Sequence, residues 1–237
     1  MGLKQENYMN RRTFLKVAPA LGVVAGLNKS LSAETGNTTQ NPKTLQPIVL
    51  PKPENDGGKT LLAAVQDRKS YRTVSDKPLP MQTLSNLLWA AFGVNRPQGP
   101  SGKTGRTAPS AHNSQEIDLY VALPEGVYLY EPVPHRLTPI VAGDFRSRSA
   151  DKGSALNAPV NIFFVVDFSR YEKGDPETWK SFYYVTTGAI SQNIYLFAAS
   201  QGLATWFHEC NKNDATKDFK LRPQQRILFA QTVGYPT

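Results

Sequence analysis

Arg68, Ser70 and Arg72 alternate within Arg68-Lys69-Ser70-Tyr71-Arg72, so three cations and a hydroxyl stand together behind a short amphipathic segment. Guanidinium groups fork onto phosphate oxygens in pairs, whereas an ammonium acts as a point charge. Two arginines bracketing a serine therefore suit an anionic cofactor. The same residues also read as a charged helix end, its cations facing the partial negative charge of the last turn.

A second group lies at Arg106-Thr107-Ala108-Pro109-Ser110-Ala111-His112-Asn113-Ser114-Gln115. Here a proline-stiffened loop offers a hydroxyl, an imidazole and two amides. Amides can donate to ring carbonyls and accept from ring N–H groups, which fits a flat heteroaromatic ligand. A polar turn satisfying its own backbone has the same composition. The third group is Trp206-Phe207-His208-Glu209-Cys210. Adjacent strand residues point to opposite faces and no second Cys/His cluster completes a site, so metal binding is disfavoured. Cys210 sits beside a carboxylate and among aromatics, surroundings that do not activate a thiol. His135, in the turn after a hairpin, reads as a solvated loop histidine.

The elements that must position these groups alternate between helix and strand patterns. Thr60 can cap a short helix through Val65. Leu84, Leu87, Leu88, Ala91 and Phe92 fall at helical spacing, with Gly93 as a stop. Residues 94–109 read as a long Gly, Pro and Ser loop. Ile117, Leu119, Val121 and Leu123 alternate as in a half-buried strand, and a hairpin follows through Pro124-Glu125-Gly126 into 127–130. Residues 161–166 predict a fully buried strand. Phe182, Val185, Ala189, Ile190 and Phe197, stopped by Gly202, predict a long helix whose apolar face meets a core or a subunit interface. A last strand covers 227–233.

The N-terminus reads as an address. Asn10-Arg11-Arg12-Thr13-Phe14-Leu15-Lys16, an apolar run over 17–27 and Ser30-Leu31-Ser32-Ala33 give charged, hydrophobic and cleavage regions in order. The paired arginines resemble a twin-arginine export signal, and the run is shorter than the about 20 residues of a stable membrane anchor. The expected division is a signal at 1–33, an extended or mobile tether at 34–59 and one folded domain at 60–237.

Residues 1–33 hold five Lys and Arg and one acid of the chain's 27 and 19; the remainder carries 22 against 18, a net charge of +4. That excess does not call for nucleic acid. With Cys210 the one cysteine, no intrachain disulfide is possible, and stability must come from packing.

Taken in order, the three groups resemble the nitroreductase family of flavin enzymes, and especially its SagB/ThcOx-type dehydrogenase branch. Arg68, Ser70 and Arg72 are similar to the family's phosphate-binding R-x-S-x-R. Pro109, Ser110, Asn113 and Gln115 match a P-S-x-x-N-x-Q loop, and Arg106 to Ala111 keep the branch's R-T-A-P-S-A. Gly188-Ala189-Ile190-Ser191-Gln192-Asn193, Gly202-Leu203-Ala204-Thr205 and Val233-Gly234-Tyr235-Pro236 follow the branch as well.

The resemblance implies an α+β nitroreductase-like fold, with a central, mostly antiparallel sheet flanked by helices, in an obligate homodimer. It implies FMN held at the subunit interface. Arg68, Ser70 and Arg72 would hold its phosphate, and Pro109, Ser110, Asn113 and Gln115 would reach its ring from the opposite subunit. The segment at Glu209 and Cys210 would bring backbone N–H groups to N5. Many relatives carry Lys or Arg after the last strand; this sequence ends at Thr237, so FMN retention would rest on Arg68, Arg72 and backbone donors.

His112 is the candidate general acid or base, because imidazole titrates near working pH. The expected activity is hydride exchange with a small organic molecule such as a nitroaromatic or quinone. Azoline-type peptide dehydrogenation, and a non-catalytic periplasmic binding protein on the same fold, are the alternatives. The electron donor is not named by any motif. An exported enzyme meets little NAD(P)H, which points to a membrane or periplasmic redox partner.

Overall fold

The computed structural model describes residues 44–99, 102–150, 152–171 and 177–237. The export signal and the first part of the expected tether lie outside the described residues.

A seven-stranded sheet in the order β1-β6-β5-β4-β7-β9-β8 forms the centre. Its strands are β1 (Ile48–Val49), β4 (Ile117–Leu123), β5 (Gly126–Glu131), β6 (Arg136–Ala142), β7 (Val160–Asp167), β8 (Ala204–His208) and β9 (Gln225–Gly234). Every neighbouring pair is antiparallel. Among the described residues four α-helices accompany the sheet: α1 (Leu61–Asp67), α2 (Met81–Phe92), α3 (Lys180–Gln201) and α4 (Lys212–Asp218). This is the expected α+β architecture, an antiparallel central sheet accompanied by helices. None of the described helices is long and apolar enough to cross a membrane.

The period of two explains the packing. Ile117, Leu119, Val121 and Leu123 of β4, with Ile162, Phe164 and Val166 of β7, pack under α2 and α3. The alternate residues Tyr120, Ala122, Phe163 and Val165 meet Ala215 and Phe219 at the end of α4. Phe219 sits edge-on to Phe163 with ring centroids 4.9 Å apart and stacks on Tyr120. β4 is therefore buried on both faces rather than half-buried, and even Asp118 is covered, paired with Arg170 at 2.5 Å.

In α2 the expected face is buried, from Leu84 to Phe92. Gly93 follows it in an extended conformation; a Cβ there would lie 2.5 Å from the Trp89 ring, so close approach requires the glycine. In α3 the outcome differs. Tyr183, Thr186, Thr187, Ile190, Ser191, Ile194 and Ala198 face the core, while Phe182 and Val185 are exposed. The helix carries apolar groups on two sides, and its small polar residues go inward because they bond locally: Thr187 Oγ1 donates to Tyr183 O at 2.8 Å.

Three further expectations change. From Ile48 the tether is extended but paired, its strand bonded to β6, and Leu50 is buried. The 94–109 loop contains an antiparallel ribbon of β2 (Val94–Arg96) and β3 (Gly105–Arg106). His135 is not a solvated loop residue. Its Nδ1 lies 3.0 Å from Tyr130 Oη and its Nε2 2.7 Å from Ser85 Oγ. Ser85 already donates to Pro51 O, so Nε2 carries the proton and Nδ1 accepts from Tyr130. Burial holds its pKa below the ordinary histidine value, and the neutral ring ties the N-terminal strand to α2 and β5.

Candidate functional site

Arg68 leaves α1 with φ −59° and ψ 121°, and 68–73 continue without helix. In extended backbone, residues two apart share a side, so Arg68, Ser70 and Arg72 form one row. The charged helix end gives way to a strand-like segment. Its position is fixed by the sheet edge: β8 pairs on one side with β9, and on the other Thr205 O accepts from Tyr71 N–H at 3.0 Å. Phe207 N–H, on that same edge, donates to Tyr195 Oη at 2.9 Å. Farther on, Ser75 N–H donates to Tyr235 O, and Val74 bridges Pro236.

Tyr195 of α3 thus stands behind the row. Its hydroxyl is 2.8 Å from Ser70 Oγ, and the Arg68 guanidinium lies 5.3 Å from its ring centre. With the phenolic oxygen accepting from Phe207, the phenolic proton can go to Ser70 Oγ, which frees the serine proton for a ligand. Neither Arg68 nor Arg72 has an ion-pair partner among the described residues, whereas Lys59 is bonded to Asp67. A cleft of about 300 Å³, lined by Lys69, Tyr71, Tyr195 and Thr205 among others, opens beside the row. Sequence reasoning missed Tyr195; its place in the long helix carried no signal that it would cap a strand 12 residues away.

The 106–115 loop is anchored where α2 ends. Thr107 Oγ1 donates to Trp89 O, and Asn193 Nδ2 of α3 reaches Ala91 O and Thr107 O at 3.4 and 3.3 Å. Asn193, noted only as part of a motif, is a clamp. Three residues of this loop, His112, Asn113 and Gln115, have φ near +53°. Side chains other than glycine rarely adopt that region, and such strain concentrates at functional sites.

Gln115 is used by its own loop. Its Oε1 accepts from Arg106 Nε at 2.7 Å, and its Nε2 donates to Thr104 O and to Asn113 Oδ1. The buried Gln115 amide and its partner Asn113 therefore brace the loop, where the sequence had offered both amides to a ring. Pro109 and His112 remain exposed and Ser110 half-buried, with Ser110 Oγ accepting from Gln115 N–H. The His112 ring meets Trp179 edge-on at 6.0 Å, and Trp179 stacks on Tyr171 at 4.6 Å. No hydrogen bond or ion pair joins Arg68, Ser70 or Arg72 to 109–115 among the described residues.

Past His208 the β8 ladder ends, leaving Glu209 and Cys210 on a turn beside the sheet. The Glu209 carboxylate is largely exposed and paired with Lys212 at 2.7 Å. Burial pushes the Cys210 thiol up to about 12, with Lys212 opposing, so it is a neutral packing group. His208 Nε2 lies 2.8 Å from Thr232 Oγ1, which donates to Asn161 Oδ1 at 2.5 Å. Burial lowers the His208 pKa, and no metal-binding cluster forms among the described residues.

The nitroreductase family profile matches residues 65–235. The chain belongs to the nitroreductase family. A crystal structure of a provisionally named nitroreductase from Ralstonia eutropha JMP134 is similar at 36% identity and a TM-score of 0.75, covering 82% of this chain and 91% of that one. MJ1384 of Methanocaldococcus jannaschii, also provisionally named a nitroreductase, is 29% identical over 148 residues, 58% of this chain and 72% of its own. The Escherichia coli microcin synthetase McbBCD complex, with truncated pro-MccB17 bound, shares the fold at 18% identity and a TM-score of 0.61, over 88% of this nitroreductase and 85% of that chain. The phosphate row and the 106–115 loop both lie inside the matched span.

Proposed function

We propose that this nitroreductase is an exported, homodimeric FMN-dependent oxidoreductase of the SagB/ThcOx type, exchanging hydride with a small organic substrate such as a nitroaromatic or a quinone. The observation that carries the proposal is the row at Arg68, Ser70 and Arg72: two guanidinium groups with no carboxylate partner among the described residues and a hydroxyl held 2.8 Å from Tyr195 Oη, on a backbone pinned to the sheet edge. That donor set fits a phosphate monoester.

FMN, when bound, supplies the two-electron chemistry. The chain's own part is to hold and orient. Arg68 and Arg72 would neutralise the phosphate, Ser70 would donate to it, and the N–H groups at Glu209 and Cys210 would point at the ring. Pro109 and Ser110 would meet the ring from the opposite subunit. The exposed apolar side chains Leu61, Leu62 and Val65 of α1 and Phe182 and Val185 of α3 support that division. A second subunit would cover them.

His112, exposed on the strained loop beside Trp179, is placed to exchange a proton with substrate. If so, His112→Ala lowers turnover and alters its dependence on pH; an unchanged profile assigns the proton elsewhere. The Arg11-Arg12 segment supports export by the twin-arginine route, and the donor would then be a redox partner on the outer side of the membrane. Anaerobic assays of the purified dimer against nitroaromatics, quinones and azoline peptides test the reaction class. Turnover of the first two sets supports the reading. Turnover of the peptides alone replaces it.

A further inference from the structure

A second cleft, of about 280 Å³, lies on the other side of the 106–115 loop. Apolar Phe92, Ile117, Leu119 and Leu129 line it together with Arg106, Gln115, Asp118, Arg170, Tyr130 and the 131–134 turn. Neither the phosphate row nor His112 lines it.

Arg106 and Arg170 face Asp118 and Glu131 in this cleft, but both carboxylates are bonded to cations other than Arg106. Asp118 is bonded to Arg170, and Glu131 to Arg136 and to Thr138. Arg106 has no carboxylate. Its Nε donates to Gln115 Oε1 at 2.7 Å and its guanidinium lies 5.4 Å from the Phe92 ring centre. Nη1 is buried without a hydrogen-bond partner, and Nη2 has no acceptor among the described residues. Burial, with the neighbouring Arg170 cation, lowers the Arg106 pKa, and Tyr130 and Asp118 oppose the shift only in part. A buried, unpaired charge is costly, and the cost falls when a counter-ion arrives with matching geometry. The fork is preorganised for one, because Gln115 fixes Nε and Phe92 supports the guanidinium plane.

We propose that this cleft is a binding site for a small organic acid, whose carboxylate pairs with Nη2 of Arg106 while its apolar part rests on Ile117, Leu129 and Phe92. Polar and apolar groups share its walls, with Phe92, Ile117, Leu119 and Leu129 forming the apolar part, and its size suits a single-ring or short aliphatic acid. The site is separate from the 68–72 row, none of whose residues lines it, although Arg106 and Gln115 belong to the loop that would reach the ring. It also touches loop geometry. Gln115 holds Arg106 on one side and the Thr104 carbonyl and the Asn113 amide on the other, so an occupant pulling on Arg106 stiffens the strained turn.

Calorimetry and thermal unfolding of the purified protein with benzoate, hexanoate and the neutral benzamide test this, at constant ionic strength. Benzoate or hexanoate at saturation raises the unfolding midpoint by about 4 °C, and benzamide does not. Arg106→Gln keeps a donor for Gln115 and weakens the acid at least ~10-fold, while Arg106→Lys, with charge but no fork, falls between. Arg68→Gln leaves acid binding intact. Equal effects of benzoate and benzamide, no effect of either acid, or full binding by a folded Arg106→Gln protein would overturn the proposal. Should Arg106→Gln fail to fold, the acid and amide comparison on the unaltered protein still decides.

Discussion

Ser70 Oγ and Tyr195 Oη lie 2.8 Å apart, joining the extended 68–72 segment to the middle of α3. Because Tyr195 also accepts from Phe207 N–H on the outer edge of β8, one phenol fixes both the sheet edge and the hydroxyl between two unpaired arginines. Tyr195→Phe removes the acceptor for Phe207 N–H and the donor for Ser70 together. The expected loss is about 1 kcal/mol of stability and a several-fold weaker hold on FMN, read by chemical unfolding and by quenching of flavin fluorescence. Loss of stability with unchanged FMN affinity would make Tyr195 a structural cap alone.

The exposed apolar residues of α1 and α3 give a second prediction. Leu62 and Val185, 80% and 68% exposed, each gain nothing from burial in one chain, so Leu62→Glu and Val185→Glu leave folding intact and shift sedimentation from dimer to monomer. FMN binding falls with the dimer. A monomeric wild-type protein, or charged variants that remain dimeric, would place the subunit contact elsewhere.

Much of this was legible because hydrophobic spacing reports burial directly. The α2 face, the buried β7 and the Gly202 stop of α3 were all readable, and Gly202 indeed has φ 68°. What escaped depended on long-range partners. Pro139 and the mixed residues around it hid β6, which forms because β5 supplies its ladder. Asp118 broke no pattern yet is buried, since Arg170, 52 residues on, neutralises it. At the site, the spacing of Arg68, Ser70 and Arg72 was visible, but whether it lay on a helix end or an extended run was decided by Thr205 across the sheet edge. That Gln115 also braces its own loop was hidden, because composition does not reveal which amide a loop will use.

Gly202 offers a local test. An L side chain in left-handed backbone is strained even with open space around its Cβ, and none lies within 4 Å here. Gly202→Ala therefore costs about 1 kcal/mol and lowers the thermal midpoint by roughly 2–4 °C. No loss would mean that the helix end relaxes without cost.

Alkali should destabilise the fold by a specific route. Burial raises the hydroxyls of Tyr128, to about 12, and of Tyr130 and Tyr171 still further, and it raises the Cys210 thiol to about 12. These groups keep their protons in the folded state and lose them when unfolded. Their contribution is complete below the unfolded values, about 9 for the thiol and 10 for the phenols, and is lost as pH rises from there towards 12. Thermal midpoints should fall steeply over that window, and Cys210 in the native protein should resist iodoacetamide at pH 8. Rapid alkylation of the folded chain, or a flat midpoint to pH 11, would contradict the burial.

The central claim is that Arg68 and Arg72 grip a phosphate, and titration of the flavin-free protein with FMN and with riboflavin, which lacks that phosphate, tests it most directly. The account predicts FMN binding tighter than riboflavin by about 100-fold, with the gap collapsing in the Arg68→Gln, Arg72→Gln double variant while riboflavin affinity stays unchanged. Equal affinities for the two flavins, or an undiminished preference in a folded double variant, would contradict it.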